Sequence, residues 1–260
     1  MHRLKRVVEE NSITKTFVFD CDFQVQPGQF INIWLPRIDE KPMSVAFADG
    51  KELSLSIANV GSFSAAVHQL KEGDQAGLRG PYGQPFRWEA KQKIAMVGGG
   101  FGTAPLYFTA FHAIQDGCEV DLIVGARRKD LLMYEDRISK LKHTSLHLAT
   151  DDGSAGHNGY NVQVLQQLIE GGKKFDMIMT CGPEVMMAAV AKLAEKYKIP
   201  AQISLERYMK CGFGLCGNCV VDPTGDTTCT KGPVVPLEYV QQVAEFGKYH
   251  RDSMGKKKEW

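Results

Sequence analysis

Four of the chain's seven cysteines fall within 19 residues: Cys211, Cys216, Cys219 and Cys229, spaced C-x4-C-x2-C-x9-C. Four thiolates at such spacing can surround a [2Fe–2S] cluster or a zinc ion. Zinc sites usually take their ligands as two separate knuckles. Here three cysteines share one loop and the fourth stands apart, the arrangement of plant-type [2Fe–2S] proteins. Gly212, Gly214 and Gly217 let that loop fold tightly and aim backbone N–H groups at sulfur. The spacing favours an iron–sulfur cluster, with structural zinc as the alternative. In a reducing compartment a local group of this kind points to metal rather than disulfides.

A second group is glycine-rich: Gly98, Gly99, Gly100 and Gly102, followed by Thr103. It is out of register with the G-x-G-x-x-G fingerprint but stands between a strand and a helix, where backbone can approach a pyrophosphate. A tight turn with packing glycines is the plainer reading. Asp151 and the run Cys181-Gly182-Pro183 follow later strands, at the edge where α/β sheets bind ligands. A solvated turn explains Asp151 equally well. Cys181 reads as a small buried residue or, beside a nicotinamide, as a polarizable neighbour. Lys41-Pro42-Met43-Ser44 is a short polar break before a strand whose cation and hydroxyl could hold a phosphate. Gly61, Ser62 and Ser64 mark a helix start with the same capacity, and in both places a surface turn is the competing reading. No Ser/His/Asp set and no HExxH occurs, the seven histidines are dispersed, and no residue is assigned as catalytic.

These groups need a scaffold. Residues 1–90 read as all-β, with strand-like runs at 16–19, 29–35 and 53–57 divided by Pro27-Gly28, Asp49-Gly50 and Gly80-Pro81. That pattern predicts an antiparallel barrel or sandwich, interrupted by one helix capped by Ser62 or Ser64 and closed by Gly73. Near Ala90-Lys91 the period changes. Strands at 94–97, 120–124, 146–150 and 176–180 alternate with helices: one capped by Thr103, others near 130–141, 161–171 and 184–198. Such alternation predicts a doubly wound parallel sheet over 91–202. From 203 to 260 Gly, Cys and Pro crowd the chain, and too few apolar residues remain for an independent core. The expectation is three domains, 1–90, 91–202 and 203–260, in a β plus α/β architecture.

Composition sets the outer bounds. The 31 Lys+Arg against 30 Asp+Glu leave a net charge of +1, which gives no electrostatic case for nucleic acid or an anionic membrane. The lysines at 256–258 read as a solvated end. The first residues lack an apolar secretory core, and no run approaches the ~20 apolar residues of a membrane span. A cytoplasmic protein is expected.

Taken in order, the motifs resemble the ferredoxin reductase-like flavoprotein superfamily, most nearly the electron-transfer subunits of dihydroorotate dehydrogenase B. Lys41-Pro42-Met43-Ser44 aligns with the flavin motif R-P-x-S, Lys41 replacing the arginine fork. Gly61–Ser64 aligns with the second phosphate-binding element, and Ile57-Ala58-Asn59 with the segment beside the flavin. Gly80–Gly83 resembles the barrel-closing turn, 97–106 the run V-G-G-G-x-G-x-A-P-L, and Cys181-Gly182-Pro183 the nicotinamide-side C-G-P. The stretch 204–219, S-L-E-R-Y-M-K-C-G-F-G-L-C-G-N-C, resembles the cluster loop.

The resemblance implies a flavin-binding β-barrel, an NAD-binding α/β domain and a C-terminal [2Fe–2S] domain. It implies FAD, the cluster and NAD(P) as cofactors, with electrons relayed between NAD(P) and an FMN-containing catalytic subunit that oxidises dihydroorotate in pyrimidine biosynthesis. The assembly would be a hetero-oligomer. Two departures stand out. The turn after Cys229 lacks the usual aromatic residue, and the tail 246–260 is shared with flavin subunits of cytoplasmic hydrogenases and NADH-dependent ferredoxin–NADP reductases. Those relatives are the alternative within the same chemistry, together with a bifurcating glutamate-synthase-like subunit. A self-contained oxygenase reductase would need a longer ferredoxin domain. A zinc-stabilised nucleotide-binding regulatory module is the alternative from another class.

Overall fold

The computed structural model describes residues 1–252 and 254–259; Ser253 and Trp260, both in the tail compared above, lie outside the described residues. Strands β1 (His2–Glu9), β2 (Thr14–Asp20), β3 (Phe30–Leu35), β4 (Asp39–Ser44), β5 (Phe47–Ala48), β6 (Glu52–Ala58) and β7 (Gln75–Tyr82) form one antiparallel sheet, with helix α1 (Ser62–Val67) between β6 and β7. Its order is β4-β3-β7-β1-β2-β6-β5. The sheet curls until β4 comes back against β6. Phe17, Phe19, Ile31, Ile33, Leu53 and Leu55 seal its interior. Alternation along β2 and β6 puts these side chains inward, and Phe17 opposite Leu55 and Phe19 opposite Leu53 fix the register.

The second sheet contains β8 (Lys93–Gly99), β9 (Glu119–Ala126), β10 (Thr144–Thr150), β11 (His157–Asn158), β12 (Met177–Cys181), β13 (Ala201–Ser204) and β14 (Val234–Pro236). Helices α2 (Thr103–Ala113), α3 (Glu135–Ile138), α4 (Asn161–Glu170), α5 (Glu184–Tyr197), α6 (Thr228–Lys231) and α7 (Leu237–Val240) punctuate it. The order β11-β10-β9-β8-β12-β13-β14 is parallel except for β14, which runs antiparallel to β13. Strand order reverses between β8 and β12, and such a switch point opens a crevice at the carboxyl ends of the strands. A hairpin of β15 (Tyr249–Arg251) and β16 (Lys257–Glu259) ends the described chain.

Several local expectations change. Lys41–Ser44 is not a break before a strand but the end of β4, held by pairing with β3. Gly102, not Thr103, caps α2, and Gly61, not a serine, caps α1. The helix expected over 130–141 is reduced to one 3₁₀ turn (Lys129–Leu131) and the single turn α3. Tyr134 interrupts it at φ +66°, sending its hydroxyl to Ser56 Oγ of the barrel at 2.5 Å. Burial of that ring between the two sheets outweighs local helix propensity.

The segment beyond 203 builds no core of its own. Val221, Val235, Leu237, Tyr239, Val240 and Val243 pack into the core formed by α5, β12 and β13. Between Leu205 and Thr227 there is no strand or helix apart from an isolated Val220–Thr227 bridge.

Candidate functional site: a cavity and a cysteine loop sharing one wall

A cavity of about 600 Å³ opens where the barrel, the carboxyl edge of the parallel sheet and the segment Ser204–Met209 meet. Its volume is in the range of small-molecule sites. The barrel supplies Lys41, Pro42, Met43 and Ser44 from β4, Ile57 and Ala58 from β6, and Gly61, Ser62 and Ser64 around the start of α1. The wall on the parallel-sheet side is Phe101, Gly102, Ala104, Pro105 and Cys181. Motifs scattered over 140 positions therefore face one space, though Asn59, Gly98, Gly99, Gly100, Thr103, Asp151, Gly182 and Pro183 stand off its wall.

The polar groups on the wall are already arranged. Lys41 Nζ lies 2.6 Å from Asp39 Oδ2 and 3.5 Å from Tyr208 Oη, with the Tyr208 ring centroid at 5.2 Å. Burial pushes the Lys41 ammonium down, but Asp39 and Tyr208 outweigh it and hold the group above its ordinary value. Ser64 Oγ accepts from the Val60 and Gly61 N–H groups and donates to the Gly61 carbonyl, so this hydroxyl shapes the turn. Ser62 is exposed.

The glycine run serves packing and access together. A Cβ on Gly102 would collide with the Cys181 carbonyl, so the loop after β8 and the end of β12 touch backbone to backbone. Gly100, at φ +54°, faces open space. Thr103 is fully buried, and its Oγ1 has no partner among the described residues. That leaves an unused hydroxyl beside the glycine turn at the start of α2. Burial pushes the Cys181 thiol up to about 12, with Glu206 adding to the shift and Ser204 opposing it. Cys181 stays a neutral, polarizable wall rather than a nucleophile. The Asp151 N–H donates to the Ala126 carbonyl. Its neighbour Asp152 joins Arg128, Lys129 and Asp130 around a second cavity of about 650 Å³ at the ends of β9 and β10.

The wall made by Ser204–Met209 escapes sequence reasoning, because in the sequence that stretch resembles only the start of the cluster loop. It places Glu206 on the cavity. Although open to that space, the carboxyl is crowded by protein; desolvation and the Glu184 charge push it up to about 7 against the pull of Arg207. Arg207 in turn bridges two buried carboxylates, Glu184 at the start of α5 and Glu245 at 2.7 Å. The one available signal was three ionisable or phenolic side chains, Glu206, Arg207 and Tyr208, following the buried strand β13.

The four clustered cysteines fall into two pairs. Cys211, partly exposed, lies beside the exposed Cys216, and Cys219 lies beside Cys229 with both buried. Among the described residues no three ligand-type side chains crowd around a single point. The pairing by itself accommodates a two-iron cluster or one tetrahedral zinc, and the three-plus-one spacing along the chain favours the cluster. The backbone is also arranged for thiolate sulfur. Desolvation pushes the Cys211 thiol up, yet the N–H groups of Cys216, Phe213 and Leu215 outweigh it and bring it down to about 6. The Gly214 N–H lies 3.2 Å from Cys229 Sγ, and the Cys229 N–H 3.4 Å from Cys219 Sγ. Beneath the loop, Phe30 and Met209 pack against Cys219 and Cys229, and the same two residues line the cavity.

Comparison with known proteins bears on both features. The oxidoreductase NAD-binding domain family matches residues 96–192, and the iron-sulfur cluster binding domain of dihydroorotate dehydrogenase B matches residues 206–241. A solved NADH-dependent reduced ferredoxin–NADP oxidoreductase superposes with a TM-score of 0.84 at 27% identity, covering 95% of this chain and 94% of its own. A Methanocaldococcus jannaschii protein named "probable dihydroorotate dehydrogenase B (NAD(+)), electron transfer subunit" is 45% identical over 98% of this chain and 96% of its own length. A Methanothermobacter thermautotrophicus protein of the same name is 44% identical over 99% and 96%. At that identity, over nearly the full length of both, the chain belongs to the family of dihydroorotate dehydrogenase B electron transfer subunits.

Proposed function

We propose that the chain relays electrons between NAD(H) and a catalytic partner subunit that oxidises dihydroorotate in pyrimidine biosynthesis, using FAD in the cavity and a [2Fe–2S] cluster on Cys211, Cys216, Cys219 and Cys229. The observation that carries this reading is the shared wall: Phe30 and Met209 touch both the cavity and the buried cysteine pair. FAD supplies the junction between hydride transfer, which moves two electrons, and an iron–sulfur cluster, which moves one.

The chain's own residues bind, orient and exclude water. Lys41, Ser44 and Ser62 would hold the phosphates of FAD with a cation and two hydroxyls, and Ile57 and Ala58 would line the same space. Gly98–Gly102 with Thr103 would receive the dinucleotide, and Cys181, held neutral by burial, would serve as an unreactive wall. Residues 1–90, 91–202 and 203–260 then correspond to flavin, nucleotide and cluster parts. Among the described residues no helix is long and apolar enough to cross a membrane. A cytoplasmic setting belongs to this proposal, because a thiolate-held iron–sulfur cluster suits a reducing compartment.

The likeness to the ferredoxin–NADP oxidoreductase, at 27% identity, offers a second partner for the same relay. The 45% relative favours the dihydroorotate-oxidising one. An anaerobic visible spectrum with iron and sulfide assays tests the relay. Flavin bands with about two irons and two sulfides per chain are expected. A colourless chain holding one zinc would overturn the proposal.

A further inference from the structure

The outer half of the cysteine loop rests on the barrel, where Asn32 of β3 donates to the Lys210 carbonyl at 2.7 Å and one cation, Arg79, makes the remaining polar contacts. Arg79, on β7, donates from Nη1 to the Cys211 carbonyl at 2.6 Å and from Nη2 to the Lys210 carbonyl at 3.5 Å. Its Nη1 also reaches Tyr82 Oη at 2.7 Å, and its Nε reaches Glu40 Oε1 at 2.9 Å. The guanidinium stacks 5.2 Å from the Tyr82 ring and 5.7 Å from Phe213, inside the loop itself. A Cβ on Gly212 would lie 2.8 Å from the Tyr82 ring, so the loop sits directly on this platform. A guanidinium stays charged throughout, and this side chain is about two-thirds buried, where solvent screens its field less than at an open surface.

We propose that Arg79, with its counter-ion Glu40, sets the reduction potential of the cluster from across the domain boundary. This inference rests on the iron–sulfur reading above. When the cluster takes up one electron, the ligated loop becomes one unit more negative. A fixed cation at the Cys211 backbone favours that state, and a carboxylate beside the cation partly offsets it. The barrel that houses the flavin thereby also adjusts the centre that exchanges electrons with it. Arg79 is a positioning and tuning residue, not a catalytic one, since it touches the backbone and rings of the loop rather than a reacting atom.

The test is a redox titration of the full-length chain, followed by electron paramagnetic resonance, for the parent, R79Q, R79K and E40Q. In R79Q the ratio of reduced to oxidised cluster at a fixed potential should fall about tenfold, a downward shift of about 59 mV for a one-electron couple. E40Q should shift it the opposite way by a smaller factor, and R79K should stay close to the parent. Opposite signs separate electrostatics from packing, because a loop merely loosened would not respond oppositely to its two neighbours. If R79Q loses its cluster, E40Q and R79K still decide. An unchanged potential in a cluster-bearing R79Q, or shifts of one sign in both R79Q and E40Q, would overturn the role given to Arg79. A parent without iron and sulfide would instead overturn the cluster reading beneath it.

Discussion

The barrel and the cysteine loop hold their shapes by opposite means. The barrel closes over Phe17, Phe19, Ile31, Ile33, Leu53 and Leu55, each sealed from solvent, and every one of its strands is paired. The loop from Cys211 to Asn218 buries only Gly212, contains no strand, and bends through left-handed glycines at 212, 214 and 217. A pattern of alternating apolar residues stabilises the first by hydrophobic burial alone. The second has too little apolar surface for that, so ligation and a borrowed core must supply its order. One chain thus joins a region ordered mainly by burial, completed by Phe108 of α2, to a region whose order depends on ligation.

The largest expected effect tests the second half of that contrast. Cys219→Ser removes a thiol from the buried pair and should abolish the cluster, drop iron content to near zero, and expose residues 206–231 to limited proteolysis while the flavin stays bound. Cys216→Ser, at the exposed edge, should lose less iron and leave the buried half protected. Full iron retention in Cys219→Ser would show that the buried pair is not the anchor.

A middle-sized effect tests the first half. Phe17→Ala should cost about 3–5 kcal/mol in chemical denaturation, with the iron content of the folded fraction unchanged. If iron falls in parallel, the two regions are not independently stabilised.

The smallest effect lies at the seam. The Glu206 carboxyl is raised from 4.5 to about 7, so the folded chain holds this proton more tightly than the unfolded one. The associated stability is complete below pH 4.5 and is lost as pH rises through about 7. Glu206→Gln cannot ionise. Its melting temperature in flavin-stripped protein should match the parent near pH 4.5 and exceed it slightly above pH 7, the gap being limited by the open cavity. A gap that is constant with pH would remove Glu206 as the titrating group.

Much of this contrast was legible in the sequence, for physical reasons. The β-branched and aromatic run at 16–19 and the alternation at 53–57 report strands directly, and strand–helix alternation after Lys93 does the same for the parallel sheet. The cysteine spacing is local, so its chemistry survives without knowledge of the fold. What escaped was everything set by distant contact. Tyr134 breaks a helix because its ring is wanted between two sheets. The wall Ser204–Met209 is a wall only because β13 ends at the carboxyl edge of the switch point. Arg79 and Cys211 stand 132 positions apart. Nor could the glycine loop be fully read: the closeness of Gly102 to Cys181 is a property of two loops, visible in neither alone.

The pairing of β14 with β13 governs how such a protein can be rearranged by gene exchange. The stretch that holds the cysteines leaves the parallel sheet at Ser204 and rejoins it at Val234. Cutting the gene at the chemical boundary would strip the sheet of its last strand, leave β13 as a raw edge open to aggregation, and remove Val235, Leu237 and Val240 from the neighbouring core. A transplanted cluster region must carry its own edge strand and helix with it, onto a sheet able to accept them. The heritable unit is therefore larger than the functional one, and lineages that keep this splice would keep nucleotide fold and cluster together rather than trade them separately.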